Sequence, residues 1–148
     1  EKRKTPVIII DEANHINSAI LNDLKILFNF EMDSRDRAAI LLAGLPALNS
    51  TLRLGIHEPL RQRLVMNYDL GGLTGEEGRT YVIDKLKGAG CHQPVFEENA
   101  LQAILNAADG TPRMINKFCY ASLLIGESHK AATINADIVM QAINDTEL

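Results

Sequence analysis

Cysteine is scarce in this 148-residue sequence, which holds only Cys91 and Cys119. Two thiols do not make the dense disulfide framework of a small secreted module, so reduced thiols and a cytoplasmic setting are expected. Long apolar runs are also missing. None approaches the roughly 20 residues needed to cross a bilayer, and no secretory leader is legible. Positive charge is not in excess: 15 Lys and Arg against 19 Asp and Glu leave a formal net charge of −4. That balance disfavours a strongly basic nucleic-acid module, although it leaves room for a local basic patch. Internal repeats and low-complexity segments are absent as well. What is present is a hydrophobic fraction of 46%, enough for a real core. The length suits one domain or two small pieces of a larger one. The chain opens on Glu1 rather than on methionine, which suits a piece of a longer polypeptide.

Two textures follow one another. The first mixes short apolar runs with helical patterns. Val7–Ile10 is a continuous, mostly β-branched run and predicts a fully buried strand of a parallel sheet. Asn17–Phe30 predicts a helix, with Ile20, Leu24 and Leu27 on one face. The segment EMDSRDR reads as a polar loop, and Ala38–Gly44 as a second buried strand. Pro46–Leu54 and Glu58–Arg63 read as short helices, and Leu64–Leu70 as a third strand. Strands alternating with helices imply an α/β layer around a parallel sheet.

From Thr74 onward only helical patterns occur, four in succession. The first opens on Thr74 with Glu77 at capping-box spacing, carries Val82, Leu86 and Ala89 on one face, and stops at Gly88 or Gly90. The second runs over about Glu97–Ala108, with Leu101, Ile104, Leu105 and Ala108 inward. Pro112 opens the third, where its missing N–H costs nothing, and Ile115, Phe118, Cys119 and Ile125 face the core. Asn135 caps the fourth, which buries Ile138, Val139, Ala142 and Ile143. Each is amphipathic, so the four should pack together.

The chemistry concentrates where Val7–Ile10 runs into Asp11 and Glu12. The carbonyl ends of parallel strands are where α/β sheets place ligands. Four apolar residues followed by Asp-Glu form the Walker B pattern of nucleotide hydrolases. There Asp11 would hold Mg2+ and Glu12 would orient the attacking water. A solvent-facing acid pair at a strand end is the plainer alternative. A Walker B strand calls for a phosphate-binding loop, G-x-x-x-x-G-K-S/T. No glycine in this sequence is followed by lysine, so that loop would have to lie upstream of Glu1.

Four segments then occur in order: VIIIDEA, AILLAGLPAL, LRQRLVMNYDLGGLTGEEGRTYVIDKLKGAG and GTPRMINKFC. Together they resemble AAA+ ATPases of the general secretion pathway protein A (ExeA-like) type, a group that includes ATPase subunits encoded beside transposases. The resemblance runs from Pro6 to Asn144. It implies a partial P-loop NTPase sheet over residues 1–72, from Walker B to an arginine finger, followed by a helical lid over residues 73–148. By the same resemblance, Asp11 matches the Walker B aspartate and metal ligand, and Glu12 the catalytic glutamate. Arg63 matches the arginine presented to a neighbouring subunit's γ-phosphate, with Arg61 as the fallback. Arg113 matches the sensor-2 arginine that touches nucleotide in its own subunit. Because a cation at a helix N-terminus is unfavourable, Arg113 should have an anionic partner. One position departs from the pattern: Leu45 stands where family members carry a polar sensor-1 residue. The family's sheet order, 5-1-4-3-2, would leave strand one missing between the strands present here. The sheet should therefore be incomplete, rearranged or completed by another chain.

The implied cofactors are ATP and Mg2+. The implied function is ATP-driven assembly or remodelling of a partner complex, with self-association into a ring or filament. The partner would be DNA with a transposase, toward which the reading leans, or a secretion-system component, with no membrane span. The alternatives are a non-enzymatic helical interaction module and, ranked below it, a DEAD/DEAH-type helicase fragment. Other residues read plainly. Cys91-His92 lacks a second ligand pair for zinc. His15, His57 and His129 read as surface or loop residues, Cys119 as core, Asn14 as a helix-start residue, and Lys2-Arg3-Lys4 as a solvated lead-in.

Overall fold

Val7–Ile10 (β1) and Ala39–Leu42 (β2) pair in parallel, with Val7 opposite Ala39 and Ile10 opposite Leu42. The computed structural model that shows this describes residues 5–27 and 38–146. It divides into two units, Glu1–Asp69 and Leu70–Leu148. Parallel pairing needs a crossover, and helix α1, Ser18–Leu27, lies in that connection. Lys2-Arg3-Lys4, EMDSRDR and the residues of the first helix beyond Leu27 lie outside the described residues.

Alternation along the two strands explains which face is covered. Ile10, Ile40 and Leu42 pack against a core of Ala13, Leu21, Leu24, Leu48, Leu52 and Leu60. The opposite face is bare: Val7 is 63% exposed, Ile9 65% and Leu41 53%. The expectation of fully buried strands is therefore corrected. A parallel strand is buried on both faces only when helices cover both, and the described helices of this unit cover one. α1 also turns a different edge inward than its pattern suggested. Leu21 and Leu24 are buried, whereas Ile20 is exposed, and the Leu27 side chain lies outside the described set. Two short helices follow, α2 (Ala47–Leu52) and α3 (Glu58–Arg61), with a 3-10 turn at Gly55–His57 between them.

Leu64–Leu70 forms no strand. Val65 is fully exposed, and Met66, Tyr68 and Leu70 are nearly so. The reason is pairing rather than propensity. A strand exists only against a neighbour, and among the described residues none pairs with this segment. The described residues accordingly hold a sheet of two strands.

The second unit is built of α4 (Gly75–Gly88), α5 (Glu98–Ala108), α6 (Pro112–Ser128) and α7 (Ala136–Thr146). Thr74 and Glu77 close the capping box in both directions, and Asn135 Oδ1 accepts from Ile138 N at 3.1 Å. The buried faces of the helices meet at Val82, Leu101, Ile104, Ile115, Phe118 and Val139. Burying each large apolar side chain is worth about 1.5–3 kcal/mol, so this shared core organises the unit more than any one helix does. Ala89, expected inward, is exposed, because α4 ends at Gly88 and the chain turns at Gly90 with φ +86°. The loops before α5 and α7 are tied by a parallel bridge between Phe96 and Ile134. Among the described residues, no helix is long and apolar enough to cross a membrane.

Candidate functional site

The ladder between β1 and β2 continues one step past the strands. Ala43 N donates to Ile10 O at 2.9 Å and Ala13 N donates to Ala43 O at 2.8 Å. Between those two bonds the chain must fit Asp11 and Glu12. It does so with Glu12 in the left-handed region, φ 52° and ψ 35°. For a non-glycine residue this conformation costs about 1–2 kcal/mol. Local strain of this kind clusters at functional sites. Asp11 Oδ1 accepts the Glu12 amide at 2.8 Å and stabilises the turn. Ala13 is fully buried, while both carboxylates are exposed at the carbonyl end of β1.

The neighbouring strand end is fastened to the same turn. Asn14 Oδ1 accepts from Leu45 N at 2.9 Å. Gly44 makes this approach possible, since a Cβ there would lie 2.8 Å from Asn14 Oδ1 and 3.0 Å from Asn14 N. Asn14 thus joins two strand ends rather than simply opening a helix. Leu45 projects into solvent, 64% exposed, and offers no polar group to a water molecule.

The two arginines near α3 differ in setting. Arg61 Nη1 donates to the carbonyls of Arg53 at 3.1 Å and Leu52 at 3.5 Å. It caps the C-terminal end of α2, where a cation is favoured. Arg63 is half-buried in the turn that follows α3, with its amide donating to Leu60 O at 3.0 Å.

Arg113 belongs to the second unit and stands exposed in the first turn of α6. The expected anionic partner is absent among the described residues. The approach to that turn is tight: Leu73 N donates to Gly110 O at 2.8 Å, and Gly110 has φ +69°.

His57 is the residue that sequence reasoning missed. It is fully buried, not a surface residue, and its Nε2 lies 3.1 Å from Ser18 Oγ. The available signal was its spacing, three positions before Leu60 on the same inward face.

A divalent ion finds only part of a cage here. Among the described residues, no three His, Cys, Asp or Glu side chains come together as ligands. Mg2+ keeps several waters and takes one or two carboxylates together with phosphate oxygens, and the exposed Asp11–Glu12 pair offers donors of that type. In the second unit, Cys91 and His92 line a cavity of about 290 Å³ beside the Arg79–Glu98 ion pair. Cys119 is half-buried against the apolar core, and burial pushes its thiol up to about 11.

Comparison with known proteins bears on family and fold. The family model described as AAA domain matches residues 1–52. General secretion pathway protein A of Aeromonas hydrophila is 34% identical over 142 residues, 94% of this chain and 26% of that protein. The chain therefore spans about a quarter of the length of that curated relative. Among solved structures, the Thermotoga maritima RuvB Holliday junction branch migration motor matches with a TM-score of 0.66 at 23% identity, covering 94% of this chain and 44% of that one. A point variant of the same motor matches with a TM-score of 0.68 at 22% identity over the same shares. At these identities the structural matches establish the fold.

Proposed function

The chain belongs to the AAA+ family, of the general secretion pathway protein A type, and from that premise we propose that it carries the hydrolytic half of an ATP site. The observation that carries this reading is the Asp11–Glu12 turn. Two exposed carboxylates stand at the carbonyl end of a parallel strand, and the strain of Glu12 presents them. Asp11 would hold Mg2+ together with the triphosphate. The ion, when bound, neutralises charge on the phosphate oxygens. Glu12 would accept a hydrogen bond from the attacking water and orient it. Arg63 would reach the γ-phosphate bound by a neighbouring copy, where a planar guanidinium suits developing phosphoryl charge. Arg61, occupied with the end of α2, is the weaker choice. Arg113 would touch nucleotide in its own subunit and transmit its presence to the helical unit.

The output of such a cycle is assembly or remodelling of a partner complex. Similarity to a secretion pathway protein favours a secretion-system component over a transposase on DNA. The RuvB likeness adds only fold.

The test is made in the full-length protein. Glu12→Gln should keep ATP binding and abolish hydrolysis, and hydrolysis that survives the change removes Glu12 from this role. The isolated chain should not turn over ATP, because no glycine in it is followed by lysine. Translation of the gene upstream of Glu1 should show a G-x-x-x-x-G-K-S/T loop.

A further inference from the structure

His57 is an expensive residue to bury. It is fully inaccessible, and among the described residues its Nδ1 has no hydrogen-bond partner. An apolar side chain of similar size would fill the space without leaving a polar atom unsatisfied. What the imidazole gains is one directional contact, the 3.1 Å bond between Nε2 and Ser18 Oγ.

That contact joins two segments that matter to the site. Ser18 is the first residue of α1, the helix that follows the Asp11–Glu12 turn. His57 ends the 3-10 turn that leads directly into α3 and Arg63. α3 is only four residues long and has little helical stability of its own. Leu60 packs it against Leu21 and Leu24. Apolar packing is non-directional and does not fix how so short a helix is turned about its axis. Directional contacts do: Arg61 ties α3 to the end of α2, and the Ser18–His57 bond ties its entry to α1.

We propose that the Ser18–His57 hydrogen bond is a positioning contact, which sets the orientation of the Arg63-bearing turn relative to the helix that follows the carboxylates. Its catalytic consequence rests on the reading of Arg63 given above; its structural consequence does not.

Two measurements on the full-length protein separate these consequences. The first is amide hydrogen exchange. Ser18→Ala should speed exchange at residues 58–64, and Ser18→Thr, which keeps a hydroxyl, should restore protection. Unchanged exchange in a folded Ser18→Ala protein overturns the proposal, whatever the enzyme does. The second is a kinetic cycle. Ser18→Ala should lower kcat roughly ten- to a hundredfold, as misplacement of a reacting group does, with ATP affinity unchanged. In an Arg63→Ala background it should cost nothing further, because the two changes act on one group. Additive losses, or parallel loss of ATP affinity, reduce the contact to ordinary packing and overturn the catalytic claim. His57→Phe, which keeps the ring and removes both nitrogens, repeats both measurements should Ser18→Ala fold poorly. If wild-type protein binds no ATP, the nucleotide reading falls, while the exchange result still decides the contact.

Discussion

Asn14 and Leu45 tie the ends of two parallel strands together: the Asn14 side-chain oxygen accepts the Leu45 amide at 2.9 Å. The bond lies just past the Asp11–Glu12 turn, so it bears on how the carboxylates are held. Asn14→Ala should leave the Leu45 amide unpaired and lower stability by about 1 kcal/mol. Asn14→Asp, which keeps the acceptor, should lose less. Gly44→Ala should be worse than either, since its Cβ would meet Asn14 backbone as well as side chain. Urea midpoints of the three variants check the order. An Asn14→Ala protein as stable as wild type would show that water replaces the bond without cost.

Arg63 should act across a subunit boundary, and that makes its loss distinguishable from a folding defect. Arg63→Ala should lower turnover by roughly 10³-fold or more in the assembled protein, with binding of ATP retained. Arg63→Lys should not rescue it, because a point charge lacks the planar fork. Mixing Arg63→Ala with Glu12→Gln subunits should recover part of the activity, because some interfaces then unite an intact Glu12 with an intact Arg63. Equal loss in dilute monomer, or no recovery on mixing, places Arg63 elsewhere.

The helical unit should show a defined acid limb. The Thr74 backbone N–H, then the Thr74 hydroxyl, holds the Glu77 carboxyl below its ordinary 4.5. Arg79 does the same for Glu98. A depressed carboxylate contributes stability that is present above the unfolded value and lost as pH falls through the folded one. Thermal melts should therefore hold level above about pH 5 and drop below the 4.5 reference, with Thr74→Ala and Glu77→Gln each flattening that drop. Thr74→Ala should also lower Tm by several degrees at neutral pH, through loss of the cap. An acid limb unchanged in both variants would assign it to other carboxylates.

The features legible in the sequence were those whose cause is local. Thr74 and Glu77 are three residues apart, Asn135 is three before Ile138, and Pro112 opens its own helix, so spacing alone located them. The end of the first strand before Asp11 was located the same way, although the turn over Asp11 and Glu12, with its left-handed Glu12, was not. The features that escaped depend on distant chain. Leu64–Leu70 has strand composition but, among the described residues, no strand beside it. His57 pairs with Ser18, 39 positions earlier, and that pairing leaves no mark on local pattern. Leu21 rather than Ile20 faces inward because the helix meets Leu60, and periodicity permitted either edge.

Gly110 gives the sharpest test of how Arg113 is carried. Its φ of +69° suits glycine, and a Cβ there would sit 2.6 Å from Leu73 O and 2.9 Å from Leu73 N. Both atoms are backbone and have no rotamer into which to retreat. Gly110→Ala should therefore break the Leu73 N to Gly110 O bond and cost about 1–3 kcal/mol. It should also displace the first turn of α6, on which Arg113 stands. Gly75→Ala is the matched control: nothing lies within 4 Å of its Cβ position, and alanine is the better helix former. Urea midpoints should fall for the first and hold or rise for the second. In the full-length protein Gly110→Ala should weaken the dependence of hydrolysis on Arg113, seen as a smaller further loss on Arg113→Ala. Comparable midpoints for the two glycine variants would mean that the Leu73 segment yields easily and does not set the start of α6.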